Sequence, residues 1–206
     1  MTTKTNPRFT ERMRLREELA REKAKEAKRR LITRIITATA VVVVVALVGF
    51  GLWSARPTNS TTVGQAPAFT LKTTAGTTVS LSDFNGKPVL LYFNEGAGCG
   101  ACTQQMAAIE KTPGFAEAGI VVLPIVMNTR AEIQPDLDAF GVKTPYLLDD
   151  GTVSKAYDVL GKGMHANLPG HGFVLVDSAG VERWQADYPS MWLDPAELLK
   201  TAKSNL

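Results

Sequence analysis

Residues 35–55, lying between Arg34 and Arg56, carry no charged side chain, and their centre reads Val41-Val42-Val43-Val44-Val45-Ala46-Leu47-Val48. A helix of about 20 apolar residues spans the hydrocarbon core of a bilayer. Trp53 closes the run, where an amphipathic ring suits the membrane interface. Residues 35–55 are therefore expected to form a single transmembrane helix. A buried core helix does not fit a run of this length and uniformity. A cleaved signal peptide is opposed by the 34-residue polar lead, the long apolar run and the lack of a clear A-x-A site. An uncleaved, single-pass anchor in the cell membrane is the expectation.

Charge orients the span and divides the chain. Residues 1–34 hold twelve Lys/Arg against five Asp/Glu, while the remainder holds eleven against fifteen. The balances of +7 and −4 sum to the net +3 of the whole chain. Only Arg56 lies close after the span, so the positive-inside rule puts residues 1–34 in the cytoplasm and the C-terminal domain outside it. That side of the membrane commonly permits disulfides. The basic balance belongs to the tail and gives no support to a nucleic-acid role for the folded domain.

The stretch Thr10 to Arg30 is rich in helix formers, with Glu18, Glu22 and Glu26 along one face among Lys/Arg neighbours. Its few apolar residues make it a basic, solvated juxtamembrane helix, a reading compatible with binding to anionic lipid. Residues 56–65 are rich in Ser, Thr, Asn, Gly and Pro and read as a linker with little reason to fold. Residues 66–206 are long enough to bury a real core.

That domain alternates between strand and helix signals. Val79 to Leu81 is a short strand candidate, and Gly86-Lys87-Pro88 makes a turn. Val89 to Phe93 is a continuous apolar run, as expected of a strand covered on both faces. A helix opens near Cys99 and carries Met106 and Ile109. Ile120 to Val126 is a second buried strand, and residues 131–140 form a helix with Ile133, Leu137 and Phe140 on one face. Residues 153–160 give another helical turn or two. Phe173 to Asp177 is a third strand, and after Ser178-Ala179-Gly180 the segment Val181 to Gln185 returns as its hairpin partner. The last helix starts with Asp194 at N-cap, Pro195 at N1 and Glu197 at N3. This order implies an α/β fold with a mixed central sheet and helices on both faces.

Cys99-Gly100-Ala101-Cys102 follows the strand 89–93 after the loop Asn94 to Gly98. Two thiols at i and i+3 opening a helix have a specific consequence. The first sits near free backbone N–H groups and the positive end of the helix dipole. A thiolate is favoured there, its pKa falls, and it becomes the attacking nucleophile. The second is close enough to displace a mixed disulfide. A bare CxxC is shared with zinc sites, but a structural zinc needs four ligands and only His165 and His171 remain to supply them. The 62 residues between Cys102 and His165 fit no common finger spacing. Redox chemistry is the expected use, with no resident metal or cofactor.

Several stretches together resemble the redoxin branch of the thioredoxin superfamily. They are Ala66-Pro67-Ala68-Phe69, Val79 through Phe93, Cys99 to Cys102, Phe140-Gly141-Val142 through Leu148-Asp149, Ala156 to Val159, and Phe173 through Gly180. This branch includes the alkyl hydroperoxide reductase/thiol-specific antioxidant (peroxiredoxin) proteins and the membrane-tethered cytochrome-maturation thioredoxins. The resemblance implies a thioredoxin-like fold, with Cys99 and Cys102 catalytic. Departures matter as well. Peroxiredoxins carry Pro-x-x-x-Thr/Ser-x-x-Cys, whereas here Gly96 stands three residues before Cys99, or Cys99 itself three before Cys102, with Tyr92 or Glu95 at the proline position. Thioredoxins usually have Trp before the first Cys, where this chain has Gly98. They also have a cis-proline beside the disulfide, a role that the resemblance carries to Pro169.

Three supporting residues complete the expected site. Glu95, four residues before Cys99, is placed to accept the proton of Cys102 during exchange. Pro169 is the candidate cis-proline. His171, in the Gly-rich segment 161–172, is placed to lower a thiol pKa or to bind copper with the two sulfurs, as in Sco-type copper chaperones. His165 reads as an ordinary loop histidine, and Trp184 and Trp192 as core or rim aromatics. The expected function is an extracytoplasmic thiol–disulfide oxidoreductase working on protein thiols and disulfides with a separate redox partner. A peroxiredoxin-like peroxidase with antioxidant activity and a Sco-like copper module are the alternatives.

Overall fold

The computed structural model describes residues 7–54, 58–60 and 64–206. It divides into two units, Met1–Trp53 and Ser54–Leu206.

The first unit is one helix, α1 (Pro7–Ser54). At 1.5 Å per residue it is about 70 Å long, more than twice the roughly 30 Å of a bilayer core. Its segment Arg21–Trp53 is long and apolar enough to cross a membrane. The basic and apolar stretches thus form one continuous helix. On the basic stretch, exposed Glu22–Lys25 and Glu26–Arg30 pairs lie one turn apart. Towards the apolar stretch, the hydroxyls of Thr33, Thr37 and Thr39 each donate 2.9 Å back to the carbonyl four residues earlier. Those polar atoms need no partner outside the helix.

In the second unit, nine strands form one sheet among the described residues. The strands are β1 (Thr58–Ser60), β2 (Gly64–Gln65), β3 (Thr70–Thr73), β4 (Thr78–Ser80), β5 (Val89–Phe93), β6 (Val121–Val126), β7 (Leu147–Leu148), β8 (Gly172–Val176) and β9 (Val181–Asp187). Their order is β1-β9-β8-β5-β6-β7-β3-β4, with β2 also on β9. β5 is central, parallel to β6 and antiparallel to β8. All five of its residues are buried, which is why it reads as an unbroken apolar run.

Alternation along the strands builds two cores. On one face Leu90, Tyr92, Phe173, Leu175 and Trp184 pack with residues of α2 (Gly100–Glu110), α3 (Gly114–Glu117), α4 (Arg130–Phe140) and α6 (Pro195–Ser204). On the other, Leu91, Phe93, Ile125 and Val174 pack with Phe69, Tyr157 and Val153 of α5 (Thr152–Ala156). This is a thioredoxin-like mixed α/β fold. Asp194 caps α6 as its sequence predicts, accepting from the amides of Ala196 and Glu197.

The structure departs from the sequence expectations at identifiable points. The linker 56–65 carries β1 and β2, which pair antiparallel with β9. A sheet edge offers unpaired N–H and C=O groups, so a polar segment can add to it without an apolar side chain of its own. Leu81 leaves the strand and starts a 3₁₀ turn (Leu81–Phe84), in which Asp83 accepts from the amide of Ser80. Helix α5 stops at Ala156, shortly before Asp158 takes a positive φ of 51°. Phe140 does not join Ile133 and Leu137 in the core but is 39% exposed. Its ring lies instead against Gly100, where a Cβ would come within 3.3 Å of it.

Candidate active site

Strand β5 delivers the chain to the five-residue loop 94–98, and each turn of that loop has a side-chain acceptor. Asn94 Oδ1 accepts from the amide of Gly96 at 3.1 Å, Asn128 Oδ1 from Ala97 at 2.9 Å, and Asp136 Oδ2 from Gly98 at 2.9 Å. Gly96 and Gly98 take φ values of 79° and 88°, where side chains are strained. A Cβ on Gly96 would also collide with Asn128 Oδ1. A hydroxyl residue three places before Cys99, as the peroxiredoxin motif requires, therefore does not fit this loop.

The loop ends by making Cys99 the N-cap of α2. The Cys99 amide donates to Gly96 O at 3.0 Å, while Cys99 Sγ accepts from the Cys102 amide at 3.3 Å. Cys99 and Cys102 are joined in a disulfide, with Cα atoms 5.3 Å apart. Cys99 is half-buried and Cys102 fully buried. Once reduced, the sulfur that solvent can reach is thus also the one facing a helix N-terminal amide. That is the arrangement that stabilises a thiolate.

Beneath Cys102 lies a buried polar pair. Tyr92 Oη donates to the Cys102 carbonyl at 3.0 Å and lies 3.1 Å from His171 Nδ1. With the phenol proton used on the carbonyl, Nδ1–H of His171 is the donor to Tyr92. The Tyr92 ring stacks on Phe173 with centroids 4.7 Å apart, and the imidazole meets both rings edge-on. Burial pushes the His171 pKa down to about 4 and the Tyr92 phenol well above its usual value. His171 is consequently neutral at physiological pH and cannot act as a cation that lowers a thiol pKa. Among the described residues, with Cys99 and Cys102 in a disulfide, no group of three or more His, Cys, Asp or Glu stands together as metal donors.

Glu95 is 3% exposed. Its Oε1 accepts from the Met164 amide at 2.8 Å, and its Oε2 lies 3.1 Å from His165 Nδ1. The carboxylate expected to serve Cys102 is thus engaged with the segment 161–170, and His165 becomes its partner rather than an ordinary loop histidine. Pro169 is buried and bridged to Leu160, but no described peptide bond is cis. The expected cis-proline is therefore absent. The bridge and the Gly170 amide bond to Val159 O at 3.2 Å are made with the ordinary trans bond. Trp184 is a core residue, and Trp192 is exposed.

Residues 63–184 match the AhpC/TSA family. The chain belongs to that family. It is a redoxin of the thioredoxin superfamily. It is 31% identical over 119 residues to the chloroplastic peroxiredoxin Q of Triticum aestivum, a match that covers 57% of this chain and 55% of the wheat protein. The chain thus spans about half the length of that relative. It is 30% identical over 129 residues to a thioredoxin-like protein of Bacillus subtilis, covering 58% of this chain and 75% of the relative. In fold it is similar to the reduced 2-Cys peroxiredoxin of Plasmodium vivax, with a TM-score of 0.62 and 23% identity over 70% of this chain and 96% of that one.

Sequence reasoning missed Tyr92, Asn128, Asp136 and His165. Tyr92 had a signal, since a polar-tipped ring inside a fully buried strand must find a partner. The other three meet the loop or Glu95 from 31 to 70 residues away, and no local pattern marks them.

Proposed function

We propose that this redoxin is a membrane-anchored, extracytoplasmic thiol–disulfide oxidoreductase that works through Cys99 and Cys102. The observation that carries the reading is the asymmetry of the pair. Cys99 is half-exposed at the N-cap of α2, and Cys102 is buried directly behind it. In the reducing direction the Cys99 thiolate attacks one sulfur of a substrate disulfide. A mixed disulfide forms and one substrate thiolate leaves. The Cys102 thiolate then attacks Cys99 Sγ, the enzyme disulfide closes, and the second substrate thiolate leaves. Two electrons pass to the substrate, and a dithiol partner must reduce the enzyme again. The oxidising direction is the same sequence run backwards. The apolar part of α1 and the excess of Lys/Arg before it support the anchor and the extracytoplasmic side.

The relatives named as peroxiredoxins favour a second reading, a thiol peroxidase in which Cys99 is oxidised to sulfenic acid and Cys102 condenses with it. Against it stands the positive-φ Gly96 where the family's hydroxyl residue belongs. The full chain in detergent micelles, offered a protein disulfide and a peroxide in parallel, separates the two. The first reading expects disulfide turnover to dominate and Cys102→Ser to trap a mixed disulfide through Cys99. Rapid peroxide consumption with no dithiol exchange would overturn it.

A further inference from the structure

The segment Gly161–Gly170 is folded on itself around one buried carboxylate. Its ends are tied by Gly161 N–H to Leu168 O at 2.9 Å, by Gly170 N–H to Val159 O at 3.2 Å and by the Leu160–Pro169 bridge. Lys162, Met164, His165, Ala166 and Asn167 are all exposed, so the middle of the loop has little apolar packing of its own. Glu95 supplies its centre, taking the Met164 amide on one oxygen and His165 on the other. The fit is close: a Cβ on Gly163 would come within 2.5 Å of Glu95 Oε1. A buried carboxylate is expensive without donors, and charge-assisted bonds such as these are the strong ones.

Chain neighbours of both Glu95 and the loop bond to the cysteine pair. Glu95 is followed by Gly96, whose carbonyl accepts from the Cys99 amide. The loop itself is followed by His171, bonded through Tyr92 to the Cys102 carbonyl.

We propose that Glu95 is a positioning residue, whose carboxylate latches the Gly161–Gly170 loop beside the dithiol and so fixes a surface against which a disulfide-bearing polypeptide lies. The latch stands on the geometry alone, and its consequence for substrates rests on the thiol–disulfide reading. A segment with few apolar contacts opens readily unless something holds it, and here the held point is the Met164 amide.

The test uses the full chain in detergent micelles, with Glu95→Ala, Glu95→Gln and Gly163→Ala. In Glu95→Ala, hydrogen exchange across 161–170 should quicken by roughly 10- to 100-fold, the scale of one hydrogen bond to a charged group, with α6 unchanged. Glu95→Gln keeps an oxygen for the Met164 amide and should restore most of the protection. Gly163→Ala loosens the loop from its own side while leaving Glu95 intact. In turnover, Glu95→Ala should raise KM for a protein disulfide while sparing kcat with a small aromatic disulfide. Unchanged exchange in Glu95→Ala and Gly163→Ala overturns the latch. So does a Glu95→Gln variant as impaired as Glu95→Ala with a displaced pH–rate profile, because Glu95 would then act by proton transfer. A wild-type chain that exchanges with neither disulfide overturns the substrate reading, and hydrogen exchange still decides the latch.

Discussion

Replacing His171 with Asn tests the buried pair beneath the dithiol through the pH dependence of folding. Burial lowers the imidazole from its ordinary 6.5 to about 4. In the unfolded chain the ring takes up a proton below about pH 6.5, while in the folded chain it stays neutral until about pH 4. The stability contributed by the neutral ring is therefore complete above pH 6.5 and is lost progressively as pH falls towards 4. At about 1.4 kcal/mol per unit, the loss amounts to about 3 kcal/mol. Asn sets an amide N–H near the position of Nδ1–H, can keep the bond to Tyr92, and does not titrate. Asp187 works with the opposite sign, because burial raises its carboxyl to about 6 and its ionisation destabilises the fold as pH rises. That slope is common to both proteins and cancels in the difference between them. Urea unfolding of wild type and His171→Asn in the same micelles, followed by near-ultraviolet circular dichroism, supplies the measurement. Between pH 7 and pH 4 the wild type should lose about 3 kcal/mol relative to the variant. A difference that stays constant within about 1 kcal/mol, or that moves the other way, refutes the burial argument.

Tyr92→Phe removes the hydroxyl that donates to the Cys102 carbonyl and leaves His171 Nδ1–H without its acceptor. The expected destabilisation is about 1–3 kcal/mol in the same urea experiment, and a stability equal to wild type would show that the pair contributes nothing net. Gly96→Ala forces a side chain into a positive-φ position and against Asn128. It should cost about 2–4 kcal/mol and slow formation of the mixed disulfide at Cys99, as followed by trapping in the Cys102→Ser background. A Gly96→Ala chain that folds and exchanges normally would mean that the loop tolerates a hydroxyl residue there after all, and would reopen the peroxidase reading.

The strands that carry the site were legible because they are buried on both faces. Val89–Phe93 and Phe173–Val176 have no polar alternation to confuse with a helix, and their burial is complete. The cap of α6 was legible because Asp194, Pro195 and Glu197 act within one turn. What stayed hidden was pairing without an apolar pattern. Strands β1 and β2 exist because β9 offers an edge, and Thr-Asn-Ser announces nothing by itself. Strand β3 is likewise short and partly polar and β7 is only two residues long, and their hydrogen-bonding partners, not their composition, make them strands.

The site divides along the same line. Cys99, Cys102 and the glycines before them were readable because an N-cap thiol and a tight loop are local inventions of the chain. The surroundings of Glu95, Pro169 and His171 depended instead on which groups the fold would bring to them. Glu95 meets a segment 69 and 70 residues away, so the burial of its carboxylate is set by loop 161–170, not by its distance from Cys99 in sequence. His171 is one residue outside strand β8, which sends its ring under Tyr92 into the core and removes its charge. A residue's spacing from Cys99 does not show which face of the sheet it joins, which the alternation of its strand decides. For Glu95 and His171 the two faces differ. Glu95 continues the side of Leu91 and Phe93, and His171 the side of Phe173. Tyr92 and His171 thus support the Cys102 carbonyl while Glu95 binds loop 161–170, two contacts with different chemistry that the separate variants can address one at a time.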